Sequence, residues 1–483
     1  MRDKIVYAIV AISMLLGFSI LTRGHEWGDD FASYIMQARS ILDGDTRGFV
    51  EHNAFTIFES SIQIGPVAYP WGYPLILAPA YALKGLHPLA LKLPSLIFYG
   101  GFLFIIYLLT KNRLTRTESL LFVSLFAFNP MLIRYHDQIL SDIPFLFFST
   151  LALFLFALKR DSTPYDRVLL SLVIAGAFFI RTQGVLLLLS YMAGKFFNWT
   201  IYRSNKQSAN KNLKDIFYVI AGFGVLWALY TLTFPGGNES YFSQYSAFRV
   251  ENVLNFIYLY FQVFGLFLGE GNIWVYLYYA MFVFFLIGTW VRRKEDTVFI
   301  IYFSLWMLLL ITWPYWQGPR FIFPLLPIFI YFTFWGMKTV IARLPGRLQG
   351  NGQLAFVAFW LVISGVFLTT SISQAYVNLR NGRAINGPFD AFSTEMFDFI
   401  KEETPPESII IFFKPRAMRL FTERDSIMVL ECERLPAGDY VAIHKKWDNS
   451  QIQPQDIGEC GIPLENVFEN RRFIVYKILK SDT

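Results

Sequence analysis

Apolar residues in this chain come in long blocks with almost no charge, and short basic clusters separate the blocks. Residues 5–22, 90–110, 273–290 and 354–370 are four of them. A helix needs about 20 apolar residues to cross a bilayer. Lipid offers no hydrogen bonds, so a spanning segment must satisfy its backbone internally. The pattern therefore predicts an α-helical polytopic membrane protein. Composition agrees: 16% of the 483 residues are charged and 54% are hydrophobic. Soluble domains carry roughly 25% charged residues. The formal charge of +6 does not point to nucleic acid, because the basic residues sit in the connections between blocks. That placement follows the positive-inside rule.

The same rule orients the chain. Arg2 and Lys4 precede the first block, which places the N-terminus in the cytoplasm and the exit at Arg23 outside. No small-x-small site follows, which argues against a cleaved signal peptide. The basic stretches at 111–116, 159–167, 203–214, 292–294 and 338–347 then share one side. About eleven spans result. Residues 1–373 are expected to form the transmembrane domain and residues 374–483 a small extracytoplasmic α/β domain. In the tail, 389–403 and 415–424 read as helices, and 408–413, 440–444 and 473–478 as strands. Cys432 and Cys460 both lie there, and one disulfide or two free thiols fit the sequence equally. Asn238-Glu239-Ser240 has the form of a glycosylation acceptor and is expected to be a chance match.

This topology gathers polar residues on the outer face. Phe31, Tyr34, Ile35, Ala38, Ile41 and Leu42 predict an amphipathic helix on the membrane surface, ending near Asp43-Gly44. Residues 69–86 read as a short interfacial piece broken at Pro79. Glu26, Asp29 and Asp30 precede or open the first helix. Arg134, His136, Asp137 and Asp142 stand in the second outer loop, and Arg181 and Arg320 near later outer ends. Adjacent carboxylates such as Asp29 and Asp30 perturb each other's protonation. Bland readings exist for each: helix caps for Asp137 and Asp142, packing for His136, snorkelling for the arginines. As a set they suit transfer from a phosphate-linked donor. An arginine binds phosphate by paired hydrogen bonds. A carboxylate takes the acceptor's proton. A divalent cation between carboxylates, with Asp137 or Asp142 as a ligand, would stabilise the departing phosphate.

Short motifs then point the same way. Gly28-Asp29-Asp30-Phe31-x-x-Tyr34-x-x-x-Ala38-Arg39 resembles the first-loop acidic motif of the GT-C glycosyltransferases. The resemblance is to the dolichyl-phosphate-mannose protein mannosyltransferases and the lipid A aminoarabinose transferases. Tyr69-Pro70-x-Gly72-Tyr73-Pro74 resembles their "YPPGYP", and Leu91-Lys92-Leu93-Pro94-Ser95 their "LRLPS". Tyr135-x-Asp137 through Ser141-Asp142-Ile143-Pro144 resembles the second-loop acidic region. Gln317-x-Pro319-Arg320-Phe321-x-x-Pro324-x-x-Pro327 resembles the late "RYLLPLLP" element. The resemblance implies a GT-C-like fold and a polyprenyl-phosphate sugar donor. It implies that Asp29 is the base, with Asp30 a substitute. The tail does not match the lumenal sugar-binding domains of the eukaryotic mannosyltransferases, which favours a prokaryotic cell membrane.

The expected function is an integral-membrane, inverting glycosyltransferase. It moves a hexosyl or pentosyl group from the lipid-linked donor to a lipid, glycan or protein acceptor among the membrane lipids. Asp29 and Asp30 are the expected catalytic residues. Tyr34, His136, Arg181 and Arg320 are expected to bind substrate, and Asp137 and Asp142 a metal. The alternative is a transporter or flippase of lipid-linked glycans. That would place polar residues at mid-membrane, whereas these blocks are apolar and the charges collect at their ends.

Overall fold

The computed structural model describes residues 4–62, 64–158, 163–201, 206–236, 245–447 and 450–480. Asn238-Glu239-Ser240 and the basic residues Arg2, Lys159, Arg160 and Arg203 lie outside the described residues. The apolar blocks are helical. α1 (Lys4–Ser19) leads to α2 (Asp30–Asp43), α3 (Thr46–Phe58) and α4 (Gly72–Lys84). Next come α5 (Pro88–Thr110), α6 (Arg116–Ala127), α7 (Pro130–Arg134) and α8 (Asp142–Ala157). They are followed by α9 (Pro164–Ile180), α10 (Val185–Ile201), α11 (Lys206–Thr233) and α12 (Glu251–Val263). α13 (Asn272–Arg292), α14 (Thr297–Thr312), α15 (Leu326–Ala342) and α16 (Gly346–Asn381) complete the bundle.

Among the described residues, five helical stretches are long and apolar enough to cross a membrane. They are Pro88–Thr110, Asn210–Thr233, Asn272–Arg292, Pro319–Ala342 and Gly346–Asn381. Lys4–Ser19, Asp142–Ala157 and Thr297–Thr312 are apolar but shorter. The expected count of about eleven is thus not reached on length and composition alone. Proline divides some blocks. The block at 118–133 breaks where Asn129 accepts from Leu132 N–H at 3.1 Å and Pro130 opens α7. A proline at that position sacrifices no helical hydrogen bond. The block at 321–337 begins as a 3-10 turn, Pro319–Leu325. Pro79, expected to break the apolar piece after Tyr69, lies inside an uninterrupted α4. α4 has 13 residues, about 20 Å, too short to span. Residues 206–214, expected as a loop, belong to α11, and α3 was not expected.

Charge is layered at the two ends of the bundle. At one end Asp215 accepts from Arg167 (2.8 Å) and Lys195 (2.9 Å). On that side too, Asp296 accepts from Arg292 (2.7 Å) and Tyr331 (2.8 Å), and Glu118 from Lys338 (2.7 Å). At the other end of α9, Arg181 meets Asp142 at 2.9 Å. The 17 residues of α9 separate these layers by about 26 Å, close to the ~30 Å of a hydrocarbon core. Between them α13 and α15 cross at Gly288 and Gly336. A Cβ on Gly288 would collide with the Phe332 carbonyl, and one on Gly336 with the Phe284 carbonyl. Small residues permit such close helix approach in lipid.

The tail folds over the Arg181 end of the bundle. α17 (Ala391–Glu403) is capped by Asp390, which accepts from Phe392 and Ser393 N–H. α18 (Pro415–Thr422) packs among strands β1 (Ile409–Ile411), β2 (Asp425–Ile427), β3 (Tyr440–His444), β4 (Leu464–Glu469) and β5 (Phe473–Ile478). The sheet order is β2-β1-β3-β5-β4. β2, β1 and β3 are parallel, β5 runs antiparallel to β3, and the edge strand β4 runs antiparallel to β5. The α/β expectation holds; β2 and β4 were not read from the sequence.

α18 covers α2. With α4 packed on it as well, the helix expected to lie open on the membrane surface is buried from Phe31 through Ala38. Cys432 and Cys460 form a disulfide. It closes a loop across 28 residues of sequence, worth about 3.6 kcal/mol in the chain-entropy account. Cys432→Ser is expected to lower domain stability by about that amount, with thiol reduction doing the same. Reductant-dependent melting and protease sensitivity of the tail measure it.

Candidate active site

α2 presents Asp30, Tyr34 and Gln37 at helical spacing, so all three face one loop. Gln37 grips the backbone of Tyr69: its Nε2 donates to the Tyr69 carbonyl at 2.8 Å, and its Oε1 accepts from Tyr69 N–H at 3.2 Å. So held, Tyr69 donates its hydroxyl to Asp30 Oδ1 at 2.6 Å. The other oxygen of Asp30 accepts from Arg320 Nη2 at 2.8 Å. Arg320 reaches there from the 3-10 turn after Gly318, whose φ of 81° lies in the region glycine favours.

Arg320 also approaches Asp142, with Nη1 3.6 Å from Oδ2. Asp142 opens α8, where a carboxylate complements the helix dipole. Arg181, just past the end of α9, pairs with Asp142 Oδ1 at 2.9 Å and donates from Nε to Ser141 Oγ at 3.1 Å. Tyr34 Oη shares a hydrogen bond with that same Ser141 hydroxyl at 3.0 Å. The Phe321 ring lies beneath both guanidinium groups, at 4.6 Å from Arg181 and 5.5 Å from Arg320. Five expected residues thus converge: Asp30, Tyr34, Asp142, Arg181 and Arg320. Arg320 also walls a cavity of about 640 Å³. Its lining mixes Glu26, Arg134, Gln138 and Gln374 with Met131, Leu140 and Leu266.

Asp29 and Asp30 face different partners. Asp29 is buried and turns to the C-terminal domain. It accepts from Arg416 N–H at 3.2 Å and lies 3.6 Å from Lys414 Nζ. Burial raises its carboxyl above the usual range, against the pull of Lys414 and Arg416. Asp30 retains 28% side-chain exposure. Burial would raise it too, but Arg320, the Tyr69 hydroxyl and Arg416 outweigh that and hold it at about 2. Asp30 therefore stays ionised and, of the adjacent pair, is the acid that touches the arginine cluster.

Besides Asp29, two expected site residues lie away from the arginine cluster. Asp137 is fully buried in a second cluster. It accepts from Lys92 Nζ (2.6 Å), Thr22 N–H (2.7 Å), Thr22 Oγ1 (2.8 Å) and Arg383 Nη2 (3.2 Å). That node ties the exit of α1 to α5 and to the chain after α16. His136 is wholly buried against Tyr99, and burial lowers it to about 3. It packs as a neutral ring and offers nothing to a substrate at the arginine cluster. Asp137 and Asp142, the two residues expected to hold metal, are thus in separate clusters, each already faced by positive side chains. Among the described residues, no three His, Cys, Asp or Glu side chains converge.

Tyr69, Ser141, Lys414 and Arg416 were not singled out from the sequence. Tyr69 had a signal, as the first residue of the Tyr-Pro motif. Lys414-Pro415-Arg416 had none, since its role depends on how the tail docks. The Asp137 node generates a prediction. Lys92→Met leaves a buried carboxylate without its ammonium and is expected to destabilise the fold by about 3 kcal/mol. Adding Asp137→Asn is expected to restore part of it. Thermal melting of the detergent-purified variants measures both.

No protein-family profile matches the chain. No curated protein sequence matches it significantly. Solved structures do match. ArnT from Cupriavidus metallidurans, solved bound to undecaprenyl phosphate, superposes with a TM-score of 0.62 at 12% identity, covering 100% of this chain and 99% of that one. The archaeal oligosaccharyltransferase AglB from Archaeoglobus fulgidus, solved with an inhibitory peptide and a dolichol-phosphate, gives 0.54 at 12% identity. That match covers 87% of this chain and 64% of the archaeal one. A likeness at 12% identity speaks to fold alone, and over nearly its whole length this chain shares the fold of ArnT.

Proposed function

We propose that the protein is an integral-membrane glycosyltransferase that uses a polyprenyl-phosphate sugar on the extracytoplasmic side. One observation carries the reading: Arg320 is held between Asp30 and Asp142 on the wall of a partly apolar cavity. A guanidinium pair suits a phosphate, and the apolar wall suits a lipid-linked one. The undecaprenyl phosphate and dolichol-phosphate in the matched structures lend support from fold alone.

The chemistry follows from the charges. Asp30, Asp142, Arg181 and Arg320 sum to neutrality, so an entering phosphate must compete for Arg320. As it does, the pull on Asp30 relaxes and its carboxylate becomes a stronger base. The acceptor hydroxyl, or amine, then attacks the anomeric carbon opposite the phosphate. The bond from that carbon to phosphate breaks with its electron pair going to the phosphate oxygen. The acceptor proton passes to Asp30, and the sugar inverts. Arg320 and Arg181 stabilise the leaving phosphate. No step runs through a metal. In this reading Asp30, not Asp29, is the base, because Asp29 is spent on the N-terminus of α18. The sugar is a hexosyl or pentosyl group, and the acceptor a lipid, glycan or protein.

The full-length protein in membranes, given undecaprenyl-phosphate sugars, should release undecaprenyl phosphate. Asp30→Asn is expected to lower kcat by about 10²- to 10⁴-fold. Asp29→Asn keeps an oxygen acceptor for Arg416 N–H and is expected to stay within about tenfold. Full turnover in both single variants and in the double would remove the mechanism.

A further inference from the structure

The Lys414–Arg416 corner of the tail touches the membrane site, and Arg416 is the unusual member. It is completely buried in the first turn of α18. Its Nη2 donates to the Pro66 carbonyl. Its guanidinium carbon lies 5.4 Å from the centre of the Tyr69 ring. Nε and Nη1 have no hydrogen-bond partner among the described residues. Gly65, at φ 143°, makes room for this arrangement. A Cβ there would stand 3.0 Å from both Arg416 Nη1 and the Tyr69 hydroxyl.

Burying a guanidinium with unmet donors is costly, and an apolar residue of similar size often serves stability as well or better. Packing alone therefore does not account for this side chain. Its contacts all lead one way. Pro66 and Tyr69 belong to the loop that delivers the Tyr69 hydroxyl to Asp30. Gln37 fixes the backbone of Tyr69, and Arg416 backs its ring. The Arg416 N–H meanwhile occupies Asp29, leaving Asp30 to face Arg320.

We propose that Arg416, supplied by the C-terminal domain, is a positioning residue that acts through Tyr69 to hold Asp30 in its reactive orientation. The reaction centre is then built from two domains, and turnover depends on the tail being docked. This rests on the reading of Asp30 as the base.

A double-mutant cycle on the full-length enzyme tests it, with release of undecaprenyl phosphate from its sugar conjugate as the readout. Rates are normalised to folded protein. Arg416→Met is expected to lower kcat about 10- to 100-fold, as a misplaced catalytic group does, while KM for the donor changes less than about threefold. Arg416→Lys is expected to recover part of kcat. The double variant with Tyr69→Phe should be no slower than the slower single one, because residues acting as a unit are not additive. Unchanged kcat per folded molecule, or losses that multiply in the double variant, overturns the proposal. If Arg416→Met does not fold, the cycle of Arg416→Lys with Tyr69→Phe probes the same coupling, and multiplying losses there overturn it equally. An inactive Asp30→Asn beside a fully active Arg416→Met sinks the positioning role and leaves the transferase reading standing. A fully active Asp30→Asn sinks both.

Discussion

The ion pairs of Arg320 with Asp30 and Asp142 hold the site end of this protein together. They join α2 to α8 through the turn that starts α15, three segments distant in sequence. Removing one member of such a buried or half-buried set leaves a charge without a partner, which costs more than the pair itself contributes. The set is therefore all or nothing, and its members constrain each other's positions. Its neutrality also matters for chemistry. A neutral cluster admits an anion only by giving up an internal contact, which in the proposed reaction links donor entry to the state of Asp30.

Helix geometry explains why two adjacent carboxylates do different work. Neighbouring residues at a helix start point about 100° apart. Asp29 precedes the first turn of α2 and turns up to the tail, where it meets the N–H of Arg416 and the Lys414 ammonium. Asp30 begins the helix and turns toward the arginines. The electrostatics follow the geometry: burial pushes Asp29 up, while Arg320 and the Tyr69 hydroxyl keep Asp30 down.

The second node explains the stability of the same region without sharing its chemistry. Lys92 and Asp137 form a fully buried pair. Lys92 also donates to the carbonyls of Thr22 and Gly24. This satisfies backbone groups at the point where the chain leaves α1, which would otherwise be unpaired in a dry environment. One acidic loop, residues 135–142, thus serves both nodes: Asp137 braces the scaffold, and Asp142 faces the arginines.

The sequence alone determined the membrane class, most helix positions and the polar set at one end. These are local properties. Apolar length and basic punctuation decide which segments enter lipid, and each block carries its own signal. It also pointed to Asp30, Asp142, Arg181 and Arg320, because each stands near the end of an apolar block, and to Tyr34 through the first-loop motif. Tertiary structure alone decided which of those residues meet. His136 and Asp137 sit a few residues from Asp142 in sequence, yet one is packed as a neutral ring and the other is locked to Lys92. The division between Asp29 and Asp30 and the arrival of Arg416 depended on the tail folding back onto α2. Sequence periodicity cannot report such a contact. It records which face of a helix is apolar, and a face covered by lipid and a face covered by another domain leave the same pattern.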